Sequence, residues 1–184
     1  MLTYRPALVA DVEQIVALVN SAYRGESSRA GWTTEADLLG GQRTDADEVR
    51  SLIAPAESAD DTLMLLFFYN GELTGTVHLQ HAHDAAHMSM LVIKPVMQGQ
   101  GLGKKLIQAA EVTGIKMWDV HKMLMHVITL RHELIAFYER RGYRRTGKLK
   151  AFPSELRFGI SKVAGLEIEL MEKVLHGGIA QVHL

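Results

Sequence analysis

The sequence predicts an α+β domain of three layers, in which helices cover both faces of a mixed sheet. Two observations support this class. In the first half, apolar strands flank the dipeptide Asn70-Gly71, which is typical of a two-residue β-hairpin. In the second half, short apolar strands alternate with segments of helical periodicity, as expected where helices connect parallel strands.

Periodicity and turn residues define the elements of the first half. Apolar residues at three- and four-residue spacing indicate helices, short apolar runs bounded by turns indicate strands, and the stretch 24–34, which has no period, indicates a loop. Proline at position 55 ends a helix. The predicted elements are a strand over 2–5, a helix over 11–23, a helix that begins after Thr33 or Thr34, a helix over 45–54, and hairpin strands over 62–69 and 72–80.

The second half is expected to pass twice from strand to helix. Its predicted elements are a strand over 87–93, a helix over 101–118, a strand over 122–129, a helix over 131–141, and closing strands over 143–146 and 167–174. Residues His176 to Leu184 are expected to form a frayed tail. Because 184 residues without a linker or repeat suit a single core, residues 1–184 are expected to form one domain.

Composition limits the chemistry that this chain can perform. It contains no cysteine, which excludes a thiol nucleophile, a CxxC redox pair and thiolate metal sites. Lysine and arginine number 20 against 21 acidic residues, for a net charge of −1. The basic surface of a nucleic-acid-binding protein is therefore not indicated, and no nucleic-acid partner is expected.

The sequence also gives no sign of export or of membrane insertion. Residues 1–6 lack the charged and then apolar pattern of a signal peptide. The longest strongly apolar run, Leu63 to Tyr69, is far shorter than the ~20 residues that span a bilayer. We therefore expect a cytoplasmic protein without a membrane partner.

The most informative segment runs from Leu91 to Lys104 and contains three alternate glycines, Gly99, Gly101 and Gly103. A strand that ends in a glycine-rich turn and then opens a helix leaves backbone N–H groups unpaired at the positive end of the helix dipole. Such a turn binds phosphate, and glycine lets the ligand approach the backbone closely.

Two common phosphate-binding motifs do not fit this spacing. A Walker A loop needs four residues between its outer glycines and Ser or Thr after its lysine, but three residues separate Gly99 from Gly103, and Lys105 follows Lys104. A dinucleotide-binding motif requires a further glycine and an acidic residue at the end of the next strand, where Thr129 stands among apolar neighbours. Both classes are rejected.

The remaining pattern, Gln98-x-x-Gly101-x-Gly103 shortly after Pro95, resembles the acyl-CoA pyrophosphate loop of the GNAT superfamily of N-acetyltransferases. The segment Ala136 to Tyr143 resembles the second motif of that family, a helix whose tyrosine precedes a Gly-aromatic pair. The resemblance covers roughly residues 2–174. It implies a mostly antiparallel, twisted sheet with a splayed central pair of parallel strands.

The resemblance also implies acetyl-CoA as the cosubstrate, without a metal, and suggests where it binds. The strand Leu91 to Ile93 would contact the pantetheine arm, and a backbone N–H at Leu91 would stabilise the developing oxyanion. The amides from Gln98 to Lys104 would surround the pyrophosphate. The expected cofactor-binding residues are Leu91, Val92, Ile93, Gln98, Gly99, Gln100, Gly101, Leu102, Gly103, Lys104, Arg131 and Tyr138.

Tyr138 is expected to face the thioester sulfur. A phenol, with a pKa of about 10, is a weaker acid than a thiol, with a pKa of about 8.5, so complete proton transfer to the departing thiolate is uphill unless the site shifts these values. Tyr138 is therefore expected mainly to donate a hydrogen bond to the sulfur. Arg131 stands where the family usually has asparagine, and it would contact the pantetheine or a phosphate, or cap a strand end.

The loop from Tyr23 to Thr34 lies where the acceptor enters in the family. Arg24 and Arg29 are candidates to bind an anionic group on the acceptor, Trp32 to stack, and Glu26 to hold the amine, although solvated surface is an equally good interpretation. An amine must lose its proton before it attacks. The candidate bases are Glu26, Glu35, His78 and water.

Three histidines, His81, His83 and His87, flank the hairpin that follows the buried strands. A metal site there would lack a suitable further ligand apart from Asp84, so exposed histidines are expected and no metal is predicted.

The sequence thus favours an acetyl-CoA-dependent N-acetyltransferase whose acceptor is a primary amine of a small molecule that also carries an anionic group. The alternatives are a non-catalytic acyl-CoA-binding sensor or interaction module, and an acyltransferase that uses a protein amine or a hydroxyl acceptor. The oligomeric state is not decided, and a homodimer is one candidate.

Overall fold

The computed structural model describes residues 1–53, 59–155 and 158–176. Its strands are β1 (Leu2–Pro6), β2 (Leu39–Gly40), β3 (Thr62–Tyr69), β4 (Glu72–Ala82), β5 (Ala85–Ile93), β6 (Lys122–Ile128), β7 (Arg144–Ala151), β8 (Ile160–Ser161) and β9 (Glu167–Val174). Seven of them form one sheet in the order β1-β3-β4-β5-β6-β9-β7, and β2 pairs with β8. Among the described strands, only β5 and β6 pair in parallel, so the predicted fold class is confirmed.

The helices are α1 (Val12–Tyr23), α2 (Gly25–Ser28), α3 (Ala46–Ile53), α4 (Leu102–Trp118) and α5 (His132–Glu139). The prediction of a helix that begins after Thr33 or Thr34 is wrong. This segment forms turns, and the short helix α2 precedes it. Thr34 explains part of the difference. Its hydroxyl accepts a hydrogen bond from the N–H of Ala36 at 3.1 Å and pairs with the Ser28 hydroxyl, and such local bonds compete with helix formation.

Other differences concern two short strands outside the main sheet, the edge strand β7 and the chain end. The two-residue strands β2 and β8 were not predicted, since such short segments carry no period. Strand β7 extends beyond the predicted 143–146, and most of its residues are exposed, so it lacks the apolar alternation that marks a half-buried strand. The predicted stop at Pro55 and the tail beyond His176 lie outside the described residues. A single domain over 1–184 stays a prediction.

Strand β3 shows why both faces of the sheet are covered. Leu65 and Phe67 pack on one face with α4 and α5, whereas Met64 and Leu66 pack on the other face with α1 and α3. Successive side chains of a strand point to opposite faces, and a strand buried on both faces is a continuous apolar run. The sheet is therefore the middle layer of three.

The parallel strands β5 and β6 separate soon after they meet. Their pairing covers only Ala85 to His87 on β5 and Lys122 to Leu124 on β6. Beyond this point β5 continues beside β4, and β6 continues beside β9. The separation opens the sheet on the side where β5 and β6 end. This is the splayed pair of parallel strands that the family resemblance implies.

Candidate active site

A β-bulge lies in β5 where the two parallel strands separate. Thr76 and His78 of β4 pair with Val92 and Ser89, so β5 has one more residue than β4 in this interval. Met90 has a φ of +47°, a conformation that side chains rarely adopt. A bulge of this kind redirects the following residues, and it leaves Leu91 without a register partner on β4 or β6.

The glycine-rich turn follows β5 directly. Gly99 and Gly101 have φ values of +78° and +80°, and Gly101 is the residue that precedes the first turn of α4. Gly103 lies within that turn, and a Cβ built there would be 3.3 Å from the ring of Phe137. The glycines therefore permit a left-handed backbone and close contact between α4 and α5.

The side chain of Gln98 ties this turn to two other segments. Its Nε2 donates to the carbonyl oxygen of Ile93 at 3.0 Å, and its Oε1 accepts a hydrogen bond from the N–H of Trp32 at 3.1 Å. Gly31 is close enough that a Cβ there would be 2.3 Å from Gln98 Oε1. Gln98 thus fixes the turn against the end of β5 and against the loop before β2.

A first cavity of about 370 Å³ opens between the turn, β5 and α5. It contains ten of the predicted cofactor-binding residues, namely Leu91, Val92, Ile93, Gln98, Gly99, Gly101, Gly103, Lys104, Arg131 and Tyr138. The other two predicted residues, Gln100 and Leu102, do not line it, and Leu102 is buried in α4. No carboxylate among the described residues lines this cavity, whereas Lys104, Arg140 and Arg141 do, a charge distribution that suits an anion.

Tyr138 is buried on α5 and lines the first cavity beside Leu91. Its ring contacts Phe137 and Tyr143 edge-on. Burial raises the pKa of the Tyr138 phenol well above its ordinary value, so the hydroxyl keeps its proton at neutral pH. The raised pKa makes complete proton transfer to a thiolate less favourable, so Tyr138 is suited to donate a hydrogen bond.

Tyr23 is a site residue that the sequence reasoning missed. It ends α1, and its hydroxyl donates to the carbonyl oxygen of Leu91 at 3.3 Å. Burial raises the pKa of this phenol as well. In the sequence, Tyr23 is marked only by its position at the end of an amphipathic helix. A core residue would have the same position, so the sequence does not distinguish the two.

Arg131 occupies the residue before α5 and is buried. Its Nη1 donates to Glu35 Oε1 at 2.8 Å, and its Nη2 donates to the Thr33 hydroxyl at 2.5 Å. The other carboxylate oxygen of Glu35 accepts a hydrogen bond from Arg24. Two buried arginines thus share one carboxylate, which holds the loop before β2 against α5.

The four residues predicted to bind the acceptor do not come together. Arg24 is committed to Glu35, and Trp32 lines the first cavity with its ring 5.7 Å from that of Phe137. Arg29 pairs with Glu26 and with Asp37 at the surface, and Glu26 and Arg29 line neither cavity. The unperiodic loop gave no information on which of its charges point inward.

A second cavity of about 300 Å³ adjoins the first. Five residues line both of them, namely Tyr23, Leu91, Arg131, Leu134 and Tyr138. The second cavity lies between β5 and β6 and is closed by residues that flank β2 and β8 and by the end of β7. The two cavities therefore meet at Leu91 and Tyr138.

His87 and His126 line the second cavity with stacked rings, 4.9 Å between centroids. Burial, and to a lesser degree the charge of Lys150, lowers the pKa of both imidazoles, that of His126 to about 4. Both are neutral at pH 7. The expectation that His87 is merely an exposed hairpin histidine is wrong, because the hairpin ends before it and the strand turns it toward β6.

The predicted bases are placed away from the junction of the cavities or are engaged in ion pairs. Glu35 lies between two arginines. His78 is buried, pairs with the hydroxyls of Thr62 at 2.7 Å and Ser89 at 3.0 Å, and lines neither cavity. Burial lowers the pKa of His78 to about 4.

Neither a metal-binding cluster nor a membrane-spanning helix occurs among the described residues. They contain no group of three or more His, Asp or Glu side chains placed to hold a metal ion. No helix in this part of the chain is both long and apolar enough to cross a membrane.

Comparison with known proteins places this geometry in context. The model of the acetyltransferase (GNAT) family matches residues 18–143. No curated protein resembles the chain significantly by sequence.

Solved structures match nearly the whole chain. The spermidine N-acetyltransferase from Vibrio cholerae in complex with CoA and spermine superposes with a TM-score of 0.68 at 20% identity, over 94% of this chain and 95% of that one. The ribosomal-protein-S18-alanine N-acetyltransferase from Escherichia coli gives 0.68 at 15% identity, over 100% of both chains. An acetyltransferase of the GNAT family from Streptococcus pneumoniae gives 0.67 at 19% identity, over 96% and 100%.

Proposed function

Because the chain belongs to the acetyltransferase (GNAT) family, we propose that it is an N-acetyltransferase that transfers an acetyl group from acetyl-CoA to a primary amine of a small molecule. The observation that carries the proposal is the wall shared by the two cavities. A thioester that enters from the first cavity and an amine that enters from the second would meet at Leu91 and Tyr138.

The residues of the first cavity fit the diphosphate and pantetheine of CoA. The amides from Gln98 to Lys104 would bind the diphosphate, supported by the dipole of α4 and by the cations of Arg140 and Arg141. The edge of β5 from Leu91 to Ile93, which has left β6, would bind the pantetheine. The cosubstrate supplies an activated acetyl group and a thiol leaving group.

The reaction proposed is direct transfer. The acceptor nitrogen forms a bond to the acetyl carbon, the carbon–sulfur bond breaks, and the products are an amide and the free thiol of CoA. The ammonium gives up one proton before attack and the nitrogen gives up a second as the amide forms, while the departing sulfur takes one. The net release is therefore one proton to solvent.

Leu91 and Tyr138 have complementary roles in this proposal. The backbone N–H of Leu91 would donate to the carbonyl oxygen as negative charge develops on it. The hydroxyl of Tyr138, which is protonated at neutral pH and whose pKa burial raises further, would donate to the sulfur. The Tyr23 hydroxyl would hold the Leu91 peptide in place through its carbonyl oxygen.

For the first proton of the acceptor we place His87 and His126 ahead of the candidates from the sequence. Both line the second cavity and both are neutral at pH 7, so each has a ring nitrogen that can accept a proton directly or through a water molecule. Because an imidazole with a pKa of about 4 is a weak base, His87 is placed ahead of His126. Glu35 is engaged with two arginines, and His78 lines neither cavity.

The size of the second cavity favours a small-molecule acceptor over a protein segment. The relatives named above act on spermidine and on a ribosomal protein, which shows that the fold alone does not choose between these acceptors. The cytoplasmic location expected from the sequence is part of this proposal.

The test has two measurements. Isothermal titration with CoA should give binding with a Kd in the micromolar range, and incubation with acetyl-CoA and a panel of amines should release CoA and give products heavier by one acetyl group. Binding without turnover on any amine would favour the acyl-CoA sensor instead. Absence of CoA binding would contradict the whole proposal.

A further inference from the structure

The charges that line the second cavity are strongly unequal. Among the described residues, its lining includes four cationic side chains, Arg24, Arg43, Arg131 and Lys150, and a single carboxylate, Glu35. Glu35 is already paired with Arg24 and Arg131. Arg43 and Lys150 are therefore the cations of this cavity that do not pair with Glu35.

Arg43 has an unused donor within the protein. Its side chain is 17% exposed, and its Nη1 is buried without a hydrogen-bond partner in the described part of the chain. The carboxylate of Glu48 forms a long ion pair with this Nη1 at 3.9 Å, which is too far for a hydrogen bond. The rings of Tyr23 and Phe158 flank the guanidinium at 5.7 and 6.0 Å, which positions it without giving Nη1 a hydrogen-bond partner.

Lys150, on β7, lines the same cavity. It makes no ion pair with any residue that the structure describes, and its charge contributes to the lowered pKa of His87 and His126. Among the described residues that line the cavity, the one carboxylate, Glu35, is already paired with two arginines and not with Lys150. An anion in the cavity would provide Lys150 with a counterion.

We infer that the acceptor is a small primary amine that also carries an anionic group, a carboxylate or a phospho group, which Arg43 and Lys150 bind in the second cavity. This inference rests on the proposed function. The sequence analysis also expected an anionic acceptor, but it assigned the binding of the anion to Arg24 and Arg29. Arg43 and Lys150 were not singled out there. A polyamine would instead bring further positive charge to a wall that is already cationic.

The experiment measures acetyl transfer to matched acceptors. The panel contains the amino acids, the carboxamide of each, aminoalkyl phosphonates, and polyamines such as spermidine. We expect the best anionic acceptor to have a kcat/KM at least about tenfold above that of its neutral counterpart, because a charge-assisted hydrogen bond is lost in the neutral compound. Comparison of kcat/KM between the amino acids and the aminoalkyl phosphonates identifies which anion is preferred.

Variants then test the two residues. Lys150→Met and Arg43→Met should each raise the KM for the anionic acceptor about tenfold or more and leave the KM for acetyl-CoA unchanged. Lys148→Met is the matched control, because Lys148 lies on the same strand but does not line the cavity. Lys150 is exposed, so its variant should fold even if that of Arg43 does not.

The failures of the two proposals are distinguishable. If CoA binds and the enzyme prefers polyamines or carboxamides, or if Lys150→Met leaves the acceptor KM unchanged, the anionic acceptor is wrong and the acetyltransferase stands. If CoA does not bind, or if no amine of any charge is acetylated, both proposals are wrong.

Discussion

Arg131 and Glu35 lie 96 positions apart in the chain and form a buried ion pair, with 2.8 Å between Nη1 and Oε1. Arg24 binds the other oxygen of the same carboxylate. The pair fixes the start of α5, and hence the helix that carries Tyr138, against the loop that precedes β2. It also connects the walls of both cavities, since Arg131 lines each of them.

This ion pair leads to a prediction about stability. Glu35→Gln would leave two buried arginines without a counter-charge, so the free energy of unfolding should fall by about 3–5 kcal/mol. Urea denaturation measures the change. Glu26→Gln is the control, because the Glu26 side chain is 90% exposed and an exposed ion pair with Arg29 contributes little to stability. If the two substitutions lower the free energy of unfolding equally, the buried ion pair does not stabilise the fold more than an exposed one.

Tyr138→Phe should lower kcat about 10- to 100-fold, since it removes one hydrogen bond to a developing thiolate, a bond that contributes about 1.5–3 kcal/mol. The affinity for CoA should stay within about twofold, because the ring and its contacts with Phe137 and Tyr143 remain. Steady-state kinetics and calorimetry measure the two quantities. An unchanged kcat would remove the role assigned to the hydroxyl.

The sequence predicts the glycine-rich turn and its helix well because both depend on local chemistry. Gly99 and Gly101 do adopt left-handed conformations, and α4 begins directly after them. The strand β3 and its hairpin were equally clear, since a buried apolar run and Asn70-Gly71 carry their own signals. Here, short-range signals in the sequence were sufficient.

The acceptor site could not be predicted in the same way because it depends on contacts between distant segments. Arg43, His126 and Lys150 belong to three separate elements, and only the separation of β5 from β6 gives them a common cavity. The bulge at Met90 has no glycine to mark it. Arg24 and Arg29 are equally charged in the sequence, yet one is buried and the other is at the surface.

Gly75→Ala tests the packing behind the bulge. A Cβ at position 75 would lie 2.7 Å from the carbonyl oxygen of Val92, a backbone atom that cannot move without the strand. We expect a loss of about 3 kcal/mol or more in the free energy of unfolding. Gly147→Ala is the control, since its Cβ meets nothing within 4 Å and only its φ of +74° opposes the change, at about 1–2 kcal/mol. A larger effect at Gly147 would contradict the crowding at the bulge.

Stability should depend on pH through His78. Its pKa is about 4 in the folded chain against an ordinary value of 6.5, so the unfolded chain binds the extra proton first as the pH falls. The contribution of His78 to the free energy of unfolding is therefore fully present above pH 6.5. It is lost as the pH falls toward 4, by up to about 3 kcal/mol. Urea denaturation at several pH values should show a weaker dependence in His78→Gln than in the unmodified chain. His121→Gln, at an exposed position, provides the comparison, and an equal reduction there would contradict the assignment.

Gln98→Ala tests whether the turn must be held in place before it can bind the diphosphate. The substitution removes the hydrogen bonds to the Ile93 carbonyl and the Trp32 N–H, but it leaves every backbone amide of the turn available. Since a site that is ordered only on binding loses affinity, the Kd for CoA should rise about tenfold, as measured by calorimetry. Gln100→Ala is the matched control, because Gln100 is an exposed residue of the same turn that does not line the cavity, and its Kd should change less than about twofold. If both variants weaken binding equally, glutamine side chains contact the ligand directly, and the positioning role of Gln98 is wrong.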